Sequence, residues 1–247
     1  MTGNAAIMDG ESSLRFNPDG AERHEAPLTT ADLAILRALA DAPVTGRPGV
    51  RVFGRDSLDE ILGANGSIGR FAAALLGRGA HPVRAIVFDK TPEMNWSVPW
   101  HQDRTITVRG RRDVPGFGPW SIKAGIVHVE PPFEIMAGMI TIRAHLDDCD
   151  VDNAPLLIVP GSHRFGRVPA GQTAEMARRL GHAVCRARAG DAWVYATSII
   201  HASERARAPG RRRVLQVDYA DRQLPGGLEW LGIADSRSRA EALKSPA

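Results

Sequence analysis

Residues 191–201 read DAWVYATSIIH, an apolar, β-branched and aromatic run that ends on a histidine. In an extended chain successive side chains alternate between two faces. Trp193, Tyr195, Thr197, Ile199 and His201 are therefore expected on one side of a strand covering Ala192 to Ile200. The same texture recurs in RAIVFDK (84–90), TITVRG (105–110), AGIVHVE (124–130), GMITIRAHL (138–146), PLLIVPG (155–161) and RRVLQVDYA (212–220), with Gly, Pro or Asp between the runs. Short strands punctuated in this way predict a mainly β fold, a sandwich or barrel, with its core over residues 83–222.

Outside that core the pattern changes. Thr29-Thr30-Ala31-Asp32 offers caps and an early acidic residue ahead of LAILRALA, so a helix is predicted near residues 30–41. A second cap at Ser57-Leu58-Asp59-Glu60 and apolar residues at helical spacing from Ser67 to Leu76 extend a mostly helical buttress across 29–82. Residues 1–28 are expected to be irregular and 223–247 to form a tail, while PGFGP (115–119) and the helical 171–181 segment read as insertions between strands. With 247 residues, one domain spanning the chain is the expectation.

Charged residues at 24% and apolar residues at 43% argue against extended disorder. No apolar stretch approaches the roughly 18 residues that would span a bilayer, and MTGNAAIMDGESS lacks the layout of a secretory signal, so a cytoplasmic location without membrane attachment is expected. Cys149 and Cys185 are the only cysteines and form no CxxC, which leaves little support for a disulfide framework or a thiolate zinc site. A net charge of +3 modestly favours anionic partners. The arginines are nevertheless spread along the chain without interleaved aromatics, and no nucleic-acid partner is expected.

In VPWHQDRTITV, His101 and Asp103 are two residues apart, so an extended backbone turns both to one face. His201 is placed to supply a third ligand. Two histidines and one carboxylate make a facial triad, which leaves three adjacent positions on an octahedral iron(II) for a bidentate keto acid and dioxygen. Eleven residues beyond His201, Arg212 shares a strand face with Val214 and Gln216. Its planar fork suits the far carboxylate of 2-oxoglutarate, a match that lysine does not reproduce. Arg211 and Arg213, of opposite parity, read as a solvated basic run.

These pieces, VPWHQD, LDDCDVDNAPLLIVPGSHRFG, GDAWVYATSIIHAS and RRRVLQVDYA, stand in the order and rough spacing of the phytanoyl-CoA dioxygenase family of iron(II) and 2-oxoglutarate dependent oxygenases. The chain resembles that family over roughly residues 30–225, most strongly from 97 to 220. The resemblance implies a double-stranded β-helix, a cupin-like jelly-roll barrel with flanking helices and the metal inside its open end. It also implies iron ligation by His101, Asp103 and His201, a 2-oxoglutarate anchor at Arg212, and auxiliary co-substrate contacts at Gln102 and Ser203. For Ser203 a turn-forming role is the equal alternative. Arg143 stands where many relatives carry an aromatic residue. A contact with co-substrate or substrate and an ion pair with Asp147 or Asp148 are its two readings. His163 belongs to the family signature without being a ligand, and a turn-stabilising hydrogen bond is expected of it. His128 and His145 are likewise not expected to bind metal. Where the family commonly has Asn-Gly, this chain has Asn153-Ala154, which is expected to shift a turn and leave the iron site unaffected.

The implied reaction is hydroxylation of a small organic molecule, using Fe(II), 2-oxoglutarate and dioxygen and releasing succinate and carbon dioxide. Relatives that halogenate lack the carboxylate ligand, so Asp103 argues against that outcome. Trp96, Trp100, Phe117 and Trp120 are candidate walls of an apolar substrate pocket, with core packing the alternative for each, and Lys123 is a candidate contact for an anionic group on the substrate. Two other classes remain: a cupin-like metal enzyme that does not use 2-oxoglutarate, and a non-catalytic small-molecule-binding barrel.

Overall fold

The computed structural model describes residues 14–41, 49–54 and 56–233. The outer parts of the expected N-terminal segment and C-terminal tail lie outside the described residues, as does the Ser57 side chain proposed as a cap. The helices are α1 (Phe16–Asp19), α2 (Thr30–Ala40), α3 (Asp56–Leu62), α4 (Gly69–Leu76), α5 (Phe133–Ala137) and α6 (Thr173–Leu180). The strands are β1 (Ala21–His24), β2 (Gly49–Arg51), β3 (His81–Lys90), β4 (Val98–His101), β5 (Ile106–Val108), β6 (Trp120–Lys123), β7 (Ile126–Val129), β8 (Ile140–His145), β9 (Leu156–Ile158), β10 (Ala183–Cys185), β11 (Ala192–Ala196), β12 (His201–Ser203) and β13 (Arg212–Ala220).

A six-stranded sheet runs β1-β11-β8-β13-β3-β2, a four-stranded sheet runs β10-β9-β12-β4, and β5-β7-β6 form a smaller third sheet. Strand alternation explains why the large sheet is buried on both sides. Along β13, Leu215, Val217 and Tyr219 point outward and pack with Leu36, Leu58, Ile61 and Leu62 of the helices. Each such aliphatic side chain contributes about 1.5–3 kcal/mol on burial. From the opposite, inner face of β11, Trp193 and Tyr195 pack against Leu156 and Ile158 of the four-stranded sheet. Two sheets facing each other around this inner layer, with helices on the outside, make the jelly roll expected from the sequence. Helix α2 begins as predicted: the Thr29 hydroxyl accepts the Asp32 N–H, and the Asp32 carboxylate accepts the Thr29 N–H.

Several expectations need correction. The run 192–200 is not one strand, because β11 ends at Ala196 and His201 opens β12 in the other sheet. A corner between them is held by the Ile199 N–H on the Ala196 carbonyl (2.9 Å) and the Ile200 N–H on the Ser162 hydroxyl (2.8 Å). Apolar character continues through the corner since both sheets bury their inner faces there, which is why the sequence reads as continuous. Within the segment expected to be irregular, residues 21–24 form β1 and complete an edge by pairing with β11. The helical buttress contains β2, and the tail is bound as far as Trp230, where Leu224, Leu228 and Trp230 join Val83, Val108 and Val129 in a second apolar cluster. Arg213 is not solvated: its guanidinium bonds Asp147 (2.7 and 2.8 Å) and Asp41 (3.0 Å), and Arg211 bonds Asp89 (2.9 Å) and Asp41 (2.7 Å).

At the Asn153-Ala154 turn the chain adopts the positive φ that favours glycine. Ala154 itself takes the left-handed conformation, with φ of 52°, and its carbonyl accepts a hydrogen bond from the Ser203 hydroxyl (3.3 Å). A side chain in that region costs about 1–2 kcal/mol, partly offset in glycine by greater unfolded-state freedom. Ala154→Gly is therefore expected to stabilise the protein by about 0.5–1 kcal/mol in denaturant unfolding; a loss of stability would mean that the Ala154 methyl packs usefully.

Candidate metal centre

The antiparallel pairing of β12 with β4 sets His201 directly opposite His101, with ring centroids 4.2 Å apart. Asp103 follows two residues beyond His101, and one ligand atom from each of the three residues lies within 4.8 Å of the others. Both imidazoles are fixed in the same way. His101 Nδ1 sits 2.8 Å from the Pro99 carbonyl and His201 Nδ1 sits 3.0 Å from the Ile199 carbonyl. A carbonyl only accepts, so each Nδ1 carries the hydrogen and each Nε2 presents a lone pair to the shared space. Burial, with His101 alongside, lowers the His201 pKa to about 4, which keeps this ring neutral and able to ligate near pH 7. For Asp103 burial acts upward, but the Arg84 guanidinium and the two histidines outweigh it and hold the carboxyl below its usual range. Arg84 Nη2 donates to Asp103 (3.2 Å), and its Nε bonds Asp218, whose other oxygen accepts the Thr141 hydroxyl (3.0 Å).

The triad opens into a cavity of about 130 Å³ between the two main sheets. At about 30 Å³ per water that is room for roughly four waters, and so for a small organic acid. Its floor is the inner face of the large sheet: Arg84, Ile86, Phe88 and Lys90 from β3, Gln216 and Arg212 from β13, and Arg143 from β8. Arg212 is only 1% exposed, yet its Nε and Nη1 have no hydrogen-bond partner. Arg143 gives Nη1 to Gln216 Oε1 (3.3 Å) and leaves Nε unpartnered. Among the described residues neither arginine forms an ion pair. Buried donors without acceptors are costly, and here they are cationic, so the cavity is built for an anion. Two imidazoles and one carboxylate suit iron(II), and the unpartnered Arg212 fork suits the far carboxylate of a keto acid.

Of the other residues singled out, Ser203 and Trp96 line the cavity with Arg143. Arg143 bonds Gln216 beside the cavity, and among the described residues it forms no ion pair with Asp147 or Asp148. Gln102 is turned away: its amide donates to the Gly166 (3.0 Å) and Ser198 (2.8 Å) carbonyls and accepts the Val168 N–H (2.9 Å). Its amide nitrogen and oxygen are both engaged in holding the loop behind His101, away from the cavity. Trp100 packs beside His182 (5.4 Å) against the Val159 and Ile200 cluster, while Phe117 and Trp120 pack in the cluster around Val129. None of the three lines the cavity, and Lys123 is exposed at the end of β6. His163 Nδ1 has no partner among the described residues, and the ring packs against Gly20, where an added Cβ would meet Nδ1 at 2.2 Å. His128 bridges the Ile126 carbonyl and Arg51, and His145 is buried with both nitrogens unpartnered.

Arg84, Lys90 and Gln216 were missed. Strand parity in RAIVFDK and RRVLQVDYA already put them on the faces that carry the site, but which face turns inward is decided by the partner sheet. Lys90 is 2% exposed, and burial with the Arg212 and Arg143 charges lowers its pKa to about 7, against a small opposing effect of Cys149. Between about pH 7 and the ordinary lysine value the unfolded chain holds a proton that the folded protein does not, so stability rises with pH across that window. In metal-free protein, wild type is expected to gain on Lys90→Met in melting temperature from about pH 7 to 10. A constant difference over that range would show that the Lys90 ammonium is not disfavoured by folding.

Fold and site together define an oxygenase of the iron(II) and 2-oxoglutarate dependent class. The chain belongs to the phytanoyl-CoA dioxygenase (PhyH) family, whose model matches residues 67–214. Among curated proteins none matches the chain in sequence. Solved structures share the fold at low identity. AviO1 from Streptomyces viridochromogenes Tue57 is 21% identical, with a TM-score of 0.61 over 90% of this chain and 99% of that one. EctD from S. alaskensis with 2-oxoglutarate and 5-hydroxyectoine is 18% identical, with a TM-score of 0.62 over 89% of this chain and 78% of that one. The epimerase SnoN in complex with Fe3+, alpha ketoglutarate and nogalamycin RO is 18% identical, with a TM-score of 0.60 over 86% and 88%. Among the described residues no helix is long and apolar enough to cross a membrane.

Proposed function

We propose that this protein hydroxylates a small organic molecule with release of succinate and carbon dioxide, using iron(II) held by His101, Asp103 and His201 and 2-oxoglutarate held by Arg212. One observation carries the reading: a fully buried guanidinium with two free donor nitrogens lines the same cavity as a two-histidine, one-carboxylate cluster. A cupin-like enzyme without a keto acid gives that guanidinium nothing to bind, and a non-catalytic barrel gives the fixed histidine tautomers no purpose. When bound, the metal and keto acid together supply the oxidising chemistry.

The chain's own residues do the rest. His101 and His201 present Nε2 because backbone carbonyls hold their Nδ1 hydrogens, and Arg84 keeps Asp103 ionised and aimed. Ile86, Phe88, Trp96, Val98 and Leu156 keep the cavity walls apolar and exclude water from the reacting atoms. These walls, beside the surplus of cations, favour a substrate with an apolar body and an anionic group. EctD with 5-hydroxyectoine and SnoN with nogalamycin RO are small-molecule complexes on this fold, which supports a small-molecule substrate here. Anaerobic titration of the Fe(II) protein with 2-oxoglutarate tests the reading through the visible charge-transfer band of the chelate, followed by a substrate screen for succinate release. Absence of the band at millimolar 2-oxoglutarate would remove the keto acid from the proposal.

A further inference from the structure

We propose that Lys90 is a second clamp on the far carboxylate of the keto acid, closing on it from β3 while Arg212 closes from β13. The proposal rests on the 2-oxoglutarate reading above and adds a residue to it. In the antiparallel pairing of these strands Arg212 is the direct partner of Lys90, and both line the cavity. Directly opposed side chains start about 5 Å apart at Cβ, so the two cationic heads reach one space, and like charges so placed oppose folding. Among the described residues no ion pair relieves this, and the neighbours that ease it are Cys149 for both cations and Asp89 for Arg212. Lys90 Nζ donates to the Ser203 hydroxyl (3.1 Å) and the Glu204 carbonyl (2.8 Å), both neutral, and lies 5.0 Å from the Trp96 ring. Among the described residues it forms no ion pair, and the charged groups that bear on it are Arg212 and Arg143. The Ser203 hydroxyl, tethered to the Ala154 carbonyl (3.3 Å), fixes the ammonium from the opposite sheet. A carboxylate set between Lys90 and Arg212 would supply the acceptors that Arg212 lacks and neutralise the opposed charges, giving one anion to two cations from adjacent strands.

The role is separable from mere packing by comparing two keto acids on one variant. 2-Oxopentanoate has the same chain length as 2-oxoglutarate and the same chelating end, with a methyl group in place of the far carboxylate. Binding of each to anaerobic Fe(II)-loaded wild type and Lys90→Met is read from the chelate's visible band and by calorimetry. Methionine fills similar volume without burying a charge, so the variant is expected to fold. Lys90→Met should weaken 2-oxoglutarate by about tenfold to a hundredfold, the loss expected for a buried charge-assisted hydrogen bond. Its affinity for 2-oxopentanoate should stay within about twofold of wild type. Equal weakening of both acids would mean that Lys90 only shapes the cavity, and no weakening of either would mean that the far carboxylate lies elsewhere; both overturn the proposal while wild-type binding of 2-oxoglutarate stands. A wild-type protein that binds neither acid would instead bring down the functional reading itself, and this proposal with it.

Discussion

Asp103→Ala is expected to lower iron(II) affinity by more than about a hundredfold and to eliminate succinate release, with the fold retained. Loss of a group that merely orients a metal ligand already costs roughly tenfold to a hundredfold, and loss of a ligand exceeds that. Fold retention follows from the pairing on the other side of Asp103. Arg84 keeps its bond to Asp218, and Asp218 keeps the Thr141 hydroxyl (3.0 Å), so no charge is stranded when the carboxylate is removed. The same change removes the neighbouring charge that raises the His201 pKa, which leaves that ring neutral and at hand for whatever weak binding remains. Competition against a metal-sensitive dye and a far-UV melting curve separate the two claims. Metal affinity within tenfold of wild type would place the ion elsewhere, and a collapsed melting curve would mean that Asp103 holds the β4 end together.

The metal ligands were legible in the sequence for a local reason. His101 and Asp103 are two residues apart, so a single short extended segment fixes their relation whatever surrounds it. The route to His201 was legible only in outcome: its parity with Trp193 and Tyr195 was read along a strand that in fact ends at Ala196, and the chain reaches the metal by crossing to the second sheet. Hydrophobic periodicity cannot register such a crossing when both sheets bury the same kind of side chain. Gln102, Trp100, Phe117 and Trp120 fail for a related reason. Nearness in sequence to His101 says nothing about which side of the loop a side chain leaves, and the 3D arrangement gives Gln102 to the Ser198 corner and Trp120 to the cluster around Val129. Lys90 and Arg84 were hidden in an ordinary strand. Their meaning comes from the strand beside them, where Arg212 and Asp218 sit directly opposite, and cross-strand register is not written in either segment alone.

Arg212→Met carries the sharpest consequence, because stability and binding should move in different directions. The guanidinium is buried with two donor nitrogens unpartnered and the Arg143 and Lys90 charges close by, and burial with Arg143 lowers its pKa to about 10. Replacing a strained buried cation with an apolar side chain of similar length is commonly neutral or stabilising. The ligand-free variant is therefore expected to melt no lower than wild type. Affinity for 2-oxoglutarate should fall by roughly thirtyfold or more, since truncating one partner of a buried charge pair costs about 2–5 kcal/mol. Affinity for iron(II) alone should stay unchanged, as the triad gains nothing from Arg212. Calorimetric binding of 2-oxoglutarate, a melting curve in its absence and a metal titration together decide the point. An arginine kept only for structure would reverse the pattern, with a lowered melting temperature and little change in keto-acid affinity. That result would return the cavity to the reading in which the triad acts without 2-oxoglutarate.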